Sequence, residues 1–233
     1  MTYKNPDNPH TASTGYDNNG DLTATSTVAG TALKVGTTGF RNYGAVTASG
    51  SDSIGIHVEY GGFTNYVRTS VTASGSGSNG YGIYVSQVGF ANSALVSSNG
   101  KNGGRGIHVA YGGFSNRGSG TVTAIGSGSN GYGIYVDNGD FINQGTVNAY
   151  GENAGIGILL QNGGFTNQGT ATLTASGDSS GGIGIHVERG GFTNQGLLNL
   201  TGSGTSILIG DHSGNDIRLS PNSLTLVGGG LLR

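Results

Sequence analysis

The chain has 233 residues, with ten Lys or Arg against twelve Asp or Glu, 49 glycines, three prolines and no cysteine. So sparse and balanced a charge leaves no basic stripe for a phosphate backbone, so no nucleic acid is expected as a partner. The lack of cysteine excludes a disulfide framework and thiolate metal sites, and no apolar run is long enough for a membrane-spanning helix, so no membrane insertion is expected.

Residues 1–15 are polar, include Pro6 and Pro9, and carry no apolar stretch of the kind that forms a secretory signal. They are expected to form an N-terminal tail or cap. From residue 16 a repeat begins. All seven phenylalanines, Phe40, Phe63, Phe90, Phe114, Phe141, Phe165 and Phe192, follow one another at intervals of 23, 27, 24, 27, 24 and 27 residues. Two positions after each stands an asparagine: Asn42, Asn65, Asn92, Asn116, Asn143, Asn167 and Asn194. Tyr16 and Asn18 continue the register toward the N-terminus and make eight copies.

An aliphatic anchor follows each aromatic after six or eight residues: Leu22, Val46, Val71, Val96, Val122, Val147, Leu173 and Leu198. A second comes seven residues before each phenylalanine: Leu33, Ile56, Ile83, Ile107, Ile134, Ile158 and Ile185. Short and long turns alternate, because the longer ones insert two residues after the asparagine, as in NYVRTSV (65–71) against NYGAV (42–46). This pairing explains why GSGSNGYGIYV occurs at 75–85 and again, identically, at 126–136.

Each repeat contains three short pieces that alternate inward and outward with period two and are bounded by Gly, Ser and Asn, the pattern of strands. Strands this short bury a face only by stacking on their counterparts in the next repeat. The expected fold is therefore all-β: a single-stranded parallel β-helix over residues 16–210, with about eight coils of 23–27 residues and three sheets. The usual crossover preference makes it right-handed, and eight rungs at the interstrand spacing give a rod roughly 40 Å long. The asparagines are expected either to stack as an amide ladder or to take left-handed turns, since Asn-x-Gly follows in six of the eight copies. Residues 211–233 leave the repeat and are expected to cap the rod or dock onto another chain.

FINQGTVNAYG (141–151) and FTNQGTATLTASG (165–177), with the G-I-x-V strands between them, resemble the repeats of bacterial autotransporter passengers and filamentous-haemagglutinin-type proteins. The resemblance implies a β-helix that is extracellular or at the cell surface, in families that include many adhesins.

Four functions are compatible with these residues. The first is a non-enzymatic structural or adhesive subunit that self-associates end to end into a fibre or matrix, because nearly every position is scaffold. The second is an adhesin for a glycan or a host or cell-surface protein, through a stripe formed by His57, Tyr84, His108, Tyr135 and His186 in one outward column, widened by Tyr60 and Tyr111. These histidines are at least two coils apart, too far to share a metal ion, so no metal or other cofactor is expected. The third is a polysaccharide-active enzyme, for which Asp137 and Asp140 are the best acid pair among scattered carboxylates that also include Asp52, Glu59, Glu152, Asp178 and Glu188. The fourth is an ice-binding solenoid whose outward column of Thr23, Thr47, Thr72, Ser97, Thr123, Asn148, Thr174 and Asn199 resembles a flat hydroxyl grid, broken by Asn148, Asn199, Ala45 and Leu95. The first is the expected function, and the protein is not expected to be an enzyme.

Overall fold

The computed structural model describes residues 10–26, 30–51, 53–78, 80–129, 131–177, 181–202, 205–209, 217–219 and 224–228. It is an all-β parallel solenoid of three nine-stranded sheets. The chain visits the sheets in strict rotation, so each strand is hydrogen-bonded to strands one full coil before and after it. No helix occurs among the described residues.

The second sheet holds the aromatic rungs from Tyr16–Asn18 to Phe192–Asn194, paired phenylalanine over phenylalanine and asparagine over asparagine. The third sheet stacks the Val/Leu anchors, and the first stacks Leu33 through Ile185 and then Ile207. All three columns face one continuous buried core. The phenylalanine rings stack at centroid separations of 4.6–5.1 Å, close to the rung spacing. From Phe90 onward their planes lie within 6° of parallel.

The asparagines form the amide ladder. From Asn18 to Asn194 each Nδ2 donates to the Oδ1 of the next at 2.8–2.9 Å. The left-handed alternative is not adopted, since none of the ladder asparagines has a positive φ. The same side chains also brace the corner that follows. In three short turns the amides of Gly44, Ala94 and Gly145 donate to the Oδ1 of Asn42, Asn92 and Asn143. In two long ones, Asn116 Nδ2 reaches Gly120 O and the Thr69 hydroxyl reaches Asn65 Oδ1. One residue type thus satisfies a buried corner and links it to the next rung, which is why it recurs at every copy.

The solenoid reaches beyond the expected boundaries at both ends. His10–Ala12, inside the segment expected to be a tail or cap, pairs with Leu33–Val35 as the first strand of its sheet. Ile217–Leu219 and Leu224–Gly228 add a ninth rung on Phe192–Asn194 and Leu197–Gly202, past the expected limit at residue 210. This rung carries neither phenylalanine nor asparagine, and Leu219 stands over Asn194 where a ninth amide would be. The Phe-x-Asn signature therefore ends one rung before the backbone pairing does.

Candidate functional site

The outward face of the first sheet is built by a glycine. In strands such as Ile54–Val58, Tyr81–Val85 and Arg105–Tyr111 the second residue is Gly, and a Cβ on Gly106 would lie 2.6 Å from Ile125 N and 2.7 Å from Gly133 O. With no side chain at that point the backbone packs into the corner. The residues on either side of the Gly–Ile pair then both face outward, three positions apart instead of two.

Two columns therefore run side by side. One contains Ile54, Tyr81, Arg105, Tyr132, Ile156 and Ile183, and the other Lys34, His57, Tyr84, His108, Tyr135, Leu159 and His186. His57, Tyr84, His108 and Tyr135 stack as one pile of rings with centroids 4.9, 4.8 and 4.9 Å apart. The two histidines are separated by the Tyr84 ring. His186 is cut off from this pile by Leu159.

The centre of the pile is covered, contrary to the expectation of a uniformly exposed stripe. Arg105 lies between Tyr81 and Tyr132, with its guanidinium carbon 5.3 and 5.5 Å from their ring centroids and 4.2 Å from that of Tyr135. This lid leaves His108 only 7% and Tyr135 only 8% exposed. Arg105 Nη1 donates to the Tyr81 hydroxyl at 2.9 Å and to His108 Nδ1 at 3.3 Å. With Nδ1 accepting, the proton sits on Nε2, which donates to Asp137 Oδ2 at 2.9 Å. His57 makes the equivalent contact two rungs earlier, with the Ser86 hydroxyl at 3.1 Å.

These contacts set the protonation of the cluster. Burial pushes the His108 imidazole below the usual histidine range, and the neighbouring Arg105 charge adds to this against the opposing hydrogen bond to Asp137. Burial pushes Asp137 up, but hydrogen bonds from His108 and Tyr135 and the nearby Arg105 charge outweigh it and leave the carboxyl below its ordinary value. Burial, followed by the Asp137 hydrogen bond and charge, raises the Tyr135 phenol. Burial also lowers His57 and His186. At neutral pH the arrangement is a neutral imidazole bridging a guanidinium and a carboxylate.

Arg105, Tyr81 and Tyr132 were not among the candidate residues. Their signal was present in the sequence, because Tyr81 and Tyr132 belong to the two identical eleven-residue stretches and Arg105 opens the strand between them. Strict period-two alternation hides it, since the glycine shifts the phase.

Tyr60 and Tyr111 do not join the pile. They stand three residues beyond His57 and His108 at the edge of the sheet, 48% and 58% exposed, with no ring stacked on either among the described residues. The carboxylates expected as an acid pair have separate commitments: Asp137 to His108, and Asp140 Oδ1 to the backbone amide of Gly164 at 2.8 Å. Glu59 pairs with Lys34 at 2.6 Å. Asp52 and Asp178 lie outside the described residues.

The threonine column stacks in single file from Thr23 to Asn199 on the outer face of the third sheet. Beside it the exposed side chains of Leu95 and Leu197 break the hydroxyl pattern. In comparisons with known proteins, no family model, curated protein or solved structure matches the chain.

Proposed function

We propose that the protein is a non-catalytic structural and adhesive rod, working outside the cell or at its surface and assembling end to end. The observation that carries this reading is the uninterrupted amide ladder, in which every interior asparagine is spent on the rung beside it. A chain whose inward positions are committed to stacking gains length and stiffness, and its contacts are made on its faces and ends. The ladder also has a direction, since every Nδ2 donates toward the C-terminal end. Every strand is likewise paired parallel to its neighbour, so joining one end of the rod to the other is head to tail and yields open filaments where the rotation does not close into a ring. The likeness of residues 141–151 and 165–177 to autotransporter-passenger and filamentous-haemagglutinin repeats supports a bacterial surface setting.

Small-angle scattering and negative-stain imaging over a concentration series test this. Particles of constant cross-section that lengthen with concentration are expected, growing from a unit roughly 40 Å long. Particles that stay monomeric at every concentration overturn the assembly. An adhesive role is favoured by Tyr60 and Tyr111, two exposed rings that the fold itself does not use.

A further inference from the structure

The edge column that carries Tyr60 continues, one residue per rung, through Gln87, Tyr111 and Asn138, where Tyr111 and Asn138 are register partners. Aromatic ring and planar amide alternate over these four rungs, beyond which the column continues with Asn162 and Arg189. The two tyrosines are two rungs apart, roughly 10 Å at the ordinary interstrand spacing. Six other outward tyrosines among the described residues have ring partners, Tyr43 stacking on Tyr66 at 4.4 Å and Tyr81, Tyr84, Tyr132 and Tyr135 belonging to the covered cluster, while Tyr150 is half-buried between Ile125 and Ser176. Beside Tyr60 the surface opens into a shallow depression floored by His57 and Tyr84 and rimmed by Glu59, Ser86 and Gln87.

We infer that this column is a binding strip for a neutral, extended β-1,4-linked glycan lying along the rod axis, one sugar per rung. The inference rests on the adhesive reading above. In such a glycan every ring substituent in the chain direction is equatorial, so each pyranose shows an apolar C–H face that suits a tyrosine ring, with hydroxyls at its edge for an amide. Successive sugars advance by about one rung and flip, so equivalent faces recur every second sugar, matching the tyrosine spacing. Sugars over Tyr60 and Tyr111 are held by stacking, and those between and beyond them by Gln87 and Asn138. Charge argues for a neutral chain: Glu59 is neutralised by Lys34, and Asp137 is turned into the His108 contact. The 51-residue interval, which sets Tyr60 and Tyr111 two rungs apart, thus becomes a ruler for one disaccharide.

Calorimetric titration with cellohexaose and with chitohexaose tests the strip, and the two probes distinguish a glucan from an acetylated glucosamine chain of the same linkage. Binding is expected for at least one hexamer and not for its dimer. Tyr60→Ala and Tyr111→Ala are each expected to weaken it about tenfold or more, and the double variant to abolish it. Tyr43→Ala, at the stacked pair on another edge, is expected to bind as the wild type does. Circular dichroism melts of each variant confirm that the fold is kept. Failure of both hexamers to bind overturns the inference, as does affinity unchanged in the double variant or binding confined to an anionic polymer such as polygalacturonate. Imaging the same samples separates the two readings: rods that elongate without binding sink only the glycan strip, and binding by particles that never elongate sinks only the fibre.

Discussion

Asn116 offers the sharpest test of how the interior is held together. It is fully buried in mid-ladder, donating from Nδ2 to Asn143 Oδ1 and Gly120 O at 2.9 Å and to Thr146 O at 3.1 Å. Its Oδ1 accepts from Asn92 at 2.9 Å. Asn116→Ala removes all four contacts, but two neighbours keep a partner: Asn92 Nδ2 still reaches Ala94 O, and Asn143 Oδ1 still accepts from the Gly145 amide. Gly120 O also keeps the Thr146 amide as a donor, so the cost is the net loss of the four contacts at about 0.5–1.5 kcal/mol each, partly recovered by these remaining partners, plus a small cavity. About 3 kcal/mol is expected, a fall of about 6–12 °C in melting temperature for a chain of this size.

Asn116→Asp keeps the shape but replaces the two donor hydrogens with a carboxylate facing three oxygens. It should cost more than alanine at neutral pH, about 5 kcal/mol, because an unpaired charge is left buried. The pH dependence gives a second, independent mark. Burial and the facing acceptors raise the folded-state pKa of the new carboxyl above its unfolded value of about 3.9. The protonated acid returns one donor, so the variant's stability relative to alanine is retained below about pH 4 and is lost as pH rises through the folded value. Urea denaturation followed by circular dichroism, with both variants measured from about pH 3.5 to 7, reads the difference. An aspartate variant as stable as alanine at neutral pH, or a gap that does not change with pH, would refute the view that a buried donor is what this column requires.

Three further outcomes are expected. Phe114, stacked at 5.1 Å on Phe90 and 4.8 Å on Phe141, should cost about 3–5 kcal/mol when cut to alanine and much less when replaced by leucine, read from thermal melts; equal losses would show that ring stacking, and not filled volume, is what the column requires. Val88 is a β-branched residue at φ 72°, where its neighbours on the adjoining rungs are Gly61 and Gly112, and it is 68% exposed. Val88→Gly should relieve roughly 1–2 kcal/mol of left-handed strain against about 0.5–1 of added chain entropy, and a lowered melting temperature would contradict this. As the unfolded chain takes up protons on histidine below about pH 6.5 and the folded chain resists, stability should decline on acidification through that window, with a further loss at lower pH as Asp137 is protonated. His108→Gln should flatten the first decline in part, His57 and His186 supplying the remainder, and a variant with the wild-type slope in urea titrations would remove His108 from the account.

By itself the sequence determined the rungs, because a repeat kept in register has only one way to bury strands of three to seven residues: like over like. Phe40 to Phe192, the ladder asparagines and the aliphatic anchors were legible as columns, and the two-residue insertions showed which corners are long. Tertiary structure alone decided what happens between columns. Arg105 and His108 stand on one strand at different phases of the outward pattern and Asp137 on the next, and the glycine that recurs before each isoleucine of the anchor column marks a position without revealing that the outward phase shifts there. The burial of His108 and Tyr135 under a guanidinium therefore follows from rung-to-rung contact and not from the residues' own polarity. The ninth rung was illegible for the converse reason: Ile217–Leu219 is placed by backbone pairing with Phe192–Asn194, and hydrogen bonds between main chains ask nothing of side-chain identity.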